Sequence, residues 1–376
     1  MNGNDHDFLS KEPFLIHAIG PTKSSWAYSN RLIPWLTKNV TEYDTVVQHG
    51  LWQYLGYALS DVISKRKKEG LTTPTWYIYP HGMLDPWFQK AESRKLKAIR
   101  NWFYWKLIEN RVVAAADSLL FTCEEEMRLA EGTFRPYKPK SVHNVGYGIP
   151  EPPDNGDRQI AAFHSVLPHL KDKPFLLFLS RIHPKKGVEL LLKAYADLKS
   201  QGIQDLPYLV IAGPCANESH WNELQSLAVS LNLQQAKVPY NCSQFIQITT
   251  TPPSDVFWTG MLSGDLKWGA LRAADAFILP SHQENFGIAV VEALACGTPV
   301  LISNKVNIWR EIKAANAGLV SEDTESGTQE LISNWLELSP LQKNEIISST
   351  IKCFTNDFGV DNAANRLTKL LNGEPL

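Results

Sequence analysis

The sequence predicts an α/β protein built from two Rossmann-like domains, and three observations carry that expectation. A chain of 376 residues, 44% of them hydrophobic, holds enough material for two cores at about 150 residues each. From about residue 43 short β-branched or aromatic runs alternate with helical stretches, the pattern of βαβ units and a parallel sheet. The alternation breaks at NVGYGIPEPPDNG, residues 144–156, a stretch too rich in Gly and Pro to continue a helix or a central strand. The boundary is therefore placed near Pro150, which gives an N-terminal domain of residues 1–150 and a C-terminal domain of residues 151–376. The last helix is expected to pack back on the first domain.

In order along the chain, MNGNDHDFLSKEPF has no basic region followed by an apolar core, and so does not read as a leader. Its Asp5-His6-Asp7 matches a carboxylate pattern that can hold a divalent metal, but no strand precedes it and a solvated terminus is the better reading. TVVQHG, TWYIYPHG and SLLFTC are the expected strands of the first domain. Ligands bind at the carboxyl ends of such strands, which makes His49 and His81 candidates. Residues 90–113 carry seven basic and two acidic side chains around Trp102, Phe103, Tyr104 and Trp105. That composition suits a helix lying on an anionic membrane, and equally one or two amphipathic helices packed on the sheet with solvated charges.

Beyond the linker, FLLFLS, PYLVIAG, VFWTG, AFILP and PVLIS are the expected strands, separated by amphipathic segments such as GVELLLKAYADLKSQG. Residues 234–255 are polar, rich in Pro and Thr and aperiodic, and are expected to form a surface insertion.

Two segments of the second domain carry the chemistry. In FLLFLSRIHPKKGVELLL, Arg181 follows a strand, and Lys185 and Lys186 precede a helix expected to start at Gly187. Cations are unfavourable at a helix N-terminus unless an anion binds between them and the helix, and Arg181 with Lys186 could hold a diphosphate without metal. The alternative is two lysines on a solvated loop. In FILPSHQENFGIAVVEALACGTPVL, Glu284 lies in the loop after a strand, and Glu292 lies within an apolar helical run, where its charge is costly unless something polar pairs with it. Ribose hydroxyls would be such a partner. Gly287 would let a phosphate or sugar approach the helix N-terminus. The alternative is a surface helix with a chance glutamate.

Together, in this order and spacing, these segments resemble the retaining glycosyltransferases of family four, the group 1 glycosyl transferases of GT-B fold. The resemblance extends to QHGLWQY, YPHGMLDPW and SLLFTCEEE in the first domain. It implies two Rossmann-like domains facing across a cleft. It assigns Arg181, Lys186 and Gly187 to the donor pyrophosphate, Glu284 to the transferred sugar, and Glu292 to the nucleotide ribose, with Asn285, Phe286 and Gly287 completing the loop. His81 would face the donor sugar and acceptor. Members of the family open with a strand and a Gly-rich turn not found here, so the N-terminal domain is expected to be incomplete by one βα step.

The expected activity is transfer of a sugar, with retention, from a UDP- or GDP-sugar to a glycan or lipid-linked acceptor, in polysaccharide or glycolipid biosynthesis. The alternatives are a non-catalytic nucleotide-sugar-binding subunit and a sugar-nucleotide epimerase of the same fold. No cofactor and no metal are expected. A net charge of -2 gives no reason to seek nucleic acid, and no Gly-x-Gly-x-x-Gly follows a strand as a nicotinamide dehydrogenase would require. Five cysteines without Cys-x-x-Cys pairing fit a reduced compartment. A cytoplasmic protein, peripheral on the inner face of the membrane through residues 90–113, is the expected setting.

Overall fold

The computed structural model describes residues 13–91, 94–203, 205–237 and 254–375. Asp5-His6-Asp7 lies outside the described residues, as do residues 238–253 of the expected insertion. The chain divides into two compact units, Met1–Val145 and Gly146–Leu376. The division falls inside the Gly/Pro stretch, a few residues before Pro150. Ile149 is already tied into the second unit, donating its N–H to the Phe358 carbonyl at 2.8 Å and accepting from Val360 N at 3.2 Å.

The first unit holds a four-stranded sheet, β1 (Thr45–His49), β2 (Thr75–Tyr79), β3 (Ser118–Phe121) and β4 (Val142–Asn144), parallel throughout and in sequential order. Its three expected strands are present. β4, only three residues long and half-buried, carries no apolar run to announce it. Trp76, Ile78, Leu119 and Phe121 are fully buried and pack with Leu59, Val62 and Ile63 of helix Tyr54–Lys68. Within residues 90–113 the described part forms helix Lys95–Tyr104, a π-turn at Trp105–Glu109 and the start of helix Asn110–Ala115.

The second unit holds a seven-stranded parallel sheet: β5 (Phe175–Leu179), β6 (Tyr208–Ala212), β7 (Gln235–Lys237), β8 (Val256–Gly260), β9 (Ala276–Leu279), β10 (Val300–Ser303) and β11 (Gly318–Ser321). Its spatial order is β11-β10-β9-β5-β6-β8-β7. Both faces are covered, so the central strands are continuous apolar runs: β9 and β10 are buried at every position. β7 corrects the reading of residues 234–255 as wholly an insertion, because Gln235–Lys237 pairs in register with Val256–Trp258 as an edge strand. β5 and β9 are adjacent, yet β5 leads through its helix to β6 on one side and β9 leads to β10 on the other. Loops that leave in opposite directions open a crevice at the carboxyl ends of the two strands, the place where open α/β sheets bind ligands.

Candidate functional site

Arg181, Lys186 and Gly187 follow β5, and Glu284 to Gly287 follow β9, so both motifs lie at this switch point. The β5 loop is held from both sides. Ile182 N donates to the Pro214 carbonyl at 2.9 Å, and the Lys185 carbonyl accepts from His282 N at 2.7 Å and Ser281 Oγ at 2.9 Å. Pro184–Lys186 form one 3-10 turn, and the helix begins at Val188 instead of Gly187, which caps it with φ 68°. A side chain at 187 would put its Cβ 2.1 Å from the Pro280 carbonyl oxygen, so the two loops touch through a glycine.

The β9 loop is pinned by its backbone. Glu284 N donates to the Lys305 carbonyl at 2.9 Å, and the Glu284 carbonyl accepts from Asn307 N at 3.0 Å. Asn285 accepts weakly from Asn307 at 3.5 Å. Gly287, at φ 80°, caps helix Ile288–Ala295. Phe286 turns into the core, 6% exposed, with its ring edge-on to Tyr147 and Phe358 at 5.3 and 5.7 Å between centroids. It shapes the loop by packing.

The two motifs meet in an ion pair: buried Lys186 contacts the Glu284 carboxylate, across 98 positions of sequence. Burial, reinforced by the neighbouring Lys185 and Arg181, holds the Lys186 ammonium below the ordinary lysine range. The Glu284 carboxylate acts the other way, and since the two groups touch, the charged pair is the state the geometry supports. Arg181 itself is exposed. Glu292 faces Lys267, Nζ to Oε1 2.7 Å, with its side chain 13% exposed. A polar partner for Glu292 is thus present within the protein, an ammonium where the sequence suggested ribose hydroxyls, and the same ammonium sits 4.0 Å over the Trp268 ring. The helix around Glu292 is buried at Val290, Val291, Ala293 and Leu294, which removes the reading of a surface helix with a chance glutamate.

Sequence reasoning missed a second polar junction here. His282 lies between Asp323, Nδ1 to Oδ2 3.0 Å, and Glu189, Nε2 to Oε1 3.4 Å. The hydrogen bond to Glu189, then that to Asp323, raises the imidazole's pKa against the opposing effect of burial. No spacing rule links positions 189, 282 and 323.

In the first unit, His81 sits two residues past β2 with the left-handed φ of 50°, followed by Gly82 at 75°. Its Nε2 is 2.8 Å from Nδ1 of His49 at the end of β1, and the two rings stack with Tyr79. Burial lowers the pKa of both imidazoles, and for His81 the proximity of His49 adds to it. The rings are therefore neutral near pH 7, one donating and one accepting. A buried carboxylate fixes the turn beneath them: Glu126 accepts from Gly82 N at 2.5 Å and from Thr122 N and Oγ1 at 2.9 and 2.6 Å. That support was within reach of the sequence, since Thr122 and Glu126 stand four apart at a strand-to-helix step. Among the described residues no group of three or more His, Cys, Asp or Glu side chains is arranged to hold a metal, and no helix is long and apolar enough to cross a membrane.

Residues 159–350, half of the chain and all of the switch-point crevice, match the model of the glycosyl transferases group 1 family. The chain belongs to the group 1 glycosyl transferases. Curated relatives of this family member include D-inositol 3-phosphate glycosyltransferase 1 of Catenulispora acidiphila, 31% identical over 222 residues, covering 57% of this chain and 47% of the relative. A D-inositol 3-phosphate glycosyltransferase of Jonesia denitrificans is 28% identical over 221 residues, with the same coverage of 57% and 47%. The chain thus spans about half the length of the curated relatives it matches. Among solved structures, a glycosyltransferase from Rickettsia africae superposes with a TM-score of 0.69 at 14% identity, covering 95% of this chain and 84% of that one. Anabaena HepE in complex with UDP and glucose gives 0.62 at 16%, covering 94% and 84%. These likenesses establish the GT-B fold with its two Rossmann-like domains.

Proposed function

We propose that this family member transfers a sugar from a nucleotide-sugar donor, UDP- or GDP-linked, to a glycan or lipid-linked acceptor, with retention of configuration and without a metal or cofactor. The observation that carries the reading is the crevice at the β5/β9 switch point, where the loop of Arg181, Lys186 and Gly187 meets the loop of Glu284 through the Lys186–Glu284 ion pair, beside the glycine-capped N-terminus of helix Ile288–Ala295. A diphosphate suits that crevice, and the presence of UDP and glucose in the HepE structure favours the same ligand class. In this reading Glu292 takes the ribose, Glu284 and the Asn285–Gly287 backbone take the sugar, and His81 acts on the transferred sugar and the acceptor.

As the glycosidic bond breaks, negative charge grows on the leaving diphosphate. Cations and amide groups already held in place stabilise that charge more than the ground state, which is what lowers a barrier. No side chain in the crevice is an evident covalent nucleophile, so retention is assigned to attack on the face from which the diphosphate leaves, with that diphosphate accepting the acceptor's proton.

Residues 90–113 support contact with an anionic membrane. Leu96, Ile99, Trp102, Phe103 and Leu107 are all exposed, Leu96 by 85%, among Lys95, Lys97, Arg100 and Lys106.

The test is calorimetric titration of the purified protein with UDP, GDP and ADP, in EDTA, alongside Arg181→Ala and Glu292→Ala. One nucleotide is expected to bind, and to bind at least tenfold more weakly to each variant. If none binds the folded protein, or if binding requires added Mg²⁺, the donor site as described is wrong.

A further inference from the structure

Glu292 stands on a helix that is otherwise apolar where it is buried, at Val290, Val291, Ala293 and Leu294. A charge in such a place is costly unless a cation or several donors compensate it. Lys267 supplies the cation from a different helix, Nζ to Oε1 2.7 Å, and the two side chains are only 22% and 13% exposed.

The backbones that carry the pair are fixed independently of it. Helix Gly264–Ala273, which bears Lys267, is seated on helix Gly156–Val166 through Gly269, where a Cβ would stand 1.9 Å from the Gln159 carbonyl oxygen. Arg272 Nε adds a hydrogen bond to Gln159 Oε1 at 2.9 Å. On its other flank the Leu271 carbonyl accepts from Thr298 Oγ1 at 2.5 Å, three residues past the helix of Glu292. The Lys267 ammonium is further steadied over the Trp268 ring, 4.0 Å away. The pair is therefore set by the fold, unlike an ion pair between two mobile surface side chains.

A carboxylate has about four acceptor positions, so an ammonium on one oxygen leaves room for two hydroxyl donors while fixing the orientation that receives them. The ammonium also offsets a negative charge that would repel a ligand carrying a diphosphate.

We infer that Lys267 is a positioning residue of the donor site, holding the Glu292 carboxylate in the orientation and charge balance with which it recognises the ribose of a nucleoside diphosphate. This rests on the proposed role of Glu292 and goes beyond it, since ribose recognition then belongs to a pair drawn from two helices. Lys267 acts through Glu292 and does not itself touch the nucleotide.

The experiment titrates the full chain calorimetrically with UDP and GDP and with the 2′-deoxy and 3′-deoxy form of each. The wild type is expected to bind one ribonucleotide at least tenfold more tightly than a deoxy form of it. Lys267→Met, similar in length but uncharged, should reduce that preference to threefold or less, and Lys267→Arg should restore most of it. In a Glu292→Ala background the preference should be gone, and adding Lys267→Met should change affinity less than twofold. Thermal unfolding checks that each variant is folded. A tenfold preference that survives in folded Lys267→Met overturns the inference and leaves the donor site standing. So does an equal loss of affinity for ribose and deoxyribose forms, or a tenfold loss on adding Lys267→Met to Glu292→Ala, which would put Lys267 on the ligand directly. A wild type that binds ribose and deoxyribose forms alike overturns the role of Glu292 and this inference with it, and one that binds no nucleotide overturns the donor site as a whole.

Discussion

Gly187 shows how far one residue can be argued from backbone alone. Its left-handed φ is disfavoured for any side chain, and a Cβ there would sit 2.1 Å from the Pro280 carbonyl oxygen. Gly187→Ala is therefore expected to cost about 2 kcal/mol or more and to separate the β5 and β9 loops, with nucleotide binding weakened in step. Thermal unfolding and titration of the variant check this, and an unchanged midpoint would mean the loops do not meet as described. The places of Arg181, Lys186, Gly187, Glu284 and Gly287 in the fold were legible because each stands beside a strand end or a helix start, where local rules speak. Lys267, the partner of Glu292, was not, because it lies on another helix and nothing in its own surroundings announces the contact. Phe286 shows the converse limit: an aromatic in a polar loop reads the same whether it faces a ligand or, as here, Tyr147 and Phe358.

Whole elements were easier to read than their junctions. Strands with four or five apolar residues were visible at once. β4, β7 and β11, reading VHN, QAK and GLVS, were not, because these short segments carry little apolar signal of their own and owe their conformation to neighbouring strands. His282 joins helix Val188–Ser200, the β9 loop and the turn after β11 through Glu189 and Asp323. Because its folded pKa is raised, its contribution to stability is fully present below the unfolded value near 6.5 and is lost as pH rises through the folded value. Urea midpoints measured from pH 5.5 to 8.5 should fall accordingly, and His282→Asn should flatten that dependence; identical slopes would exclude the junction as its source. Helix Lys95–Tyr104 makes a separate prediction through its exposed Leu96 and Phe103. The protein should sediment with vesicles containing phosphatidylglycerol and not with pure phosphatidylcholine, and Leu96→Ser with Phe103→Ser should release it. Failure of the wild type to sediment would leave these side chains merely solvent-exposed.

At the scale of the whole molecule, the two units were readable because each has its own sheet and the sequence marks their border with Gly and Pro. The order of strands within each sheet was not, since βαβ periodicity specifies parallel neighbours without saying which side the next strand joins. That order is what brings Lys186 and Glu284 together. It also dates the event in the life of the chain. Lys186 leaves the ribosome 98 residues before its partner, roughly 5–20 s earlier at common rates of synthesis. Throughout that interval β5, β6 and their helices can assemble, but the switch-point crevice has only one bank. In the proposed reading the donor crevice therefore gains its second bank only when β9 docks against β5, while β10, β11 and the helices that follow them are still to be made.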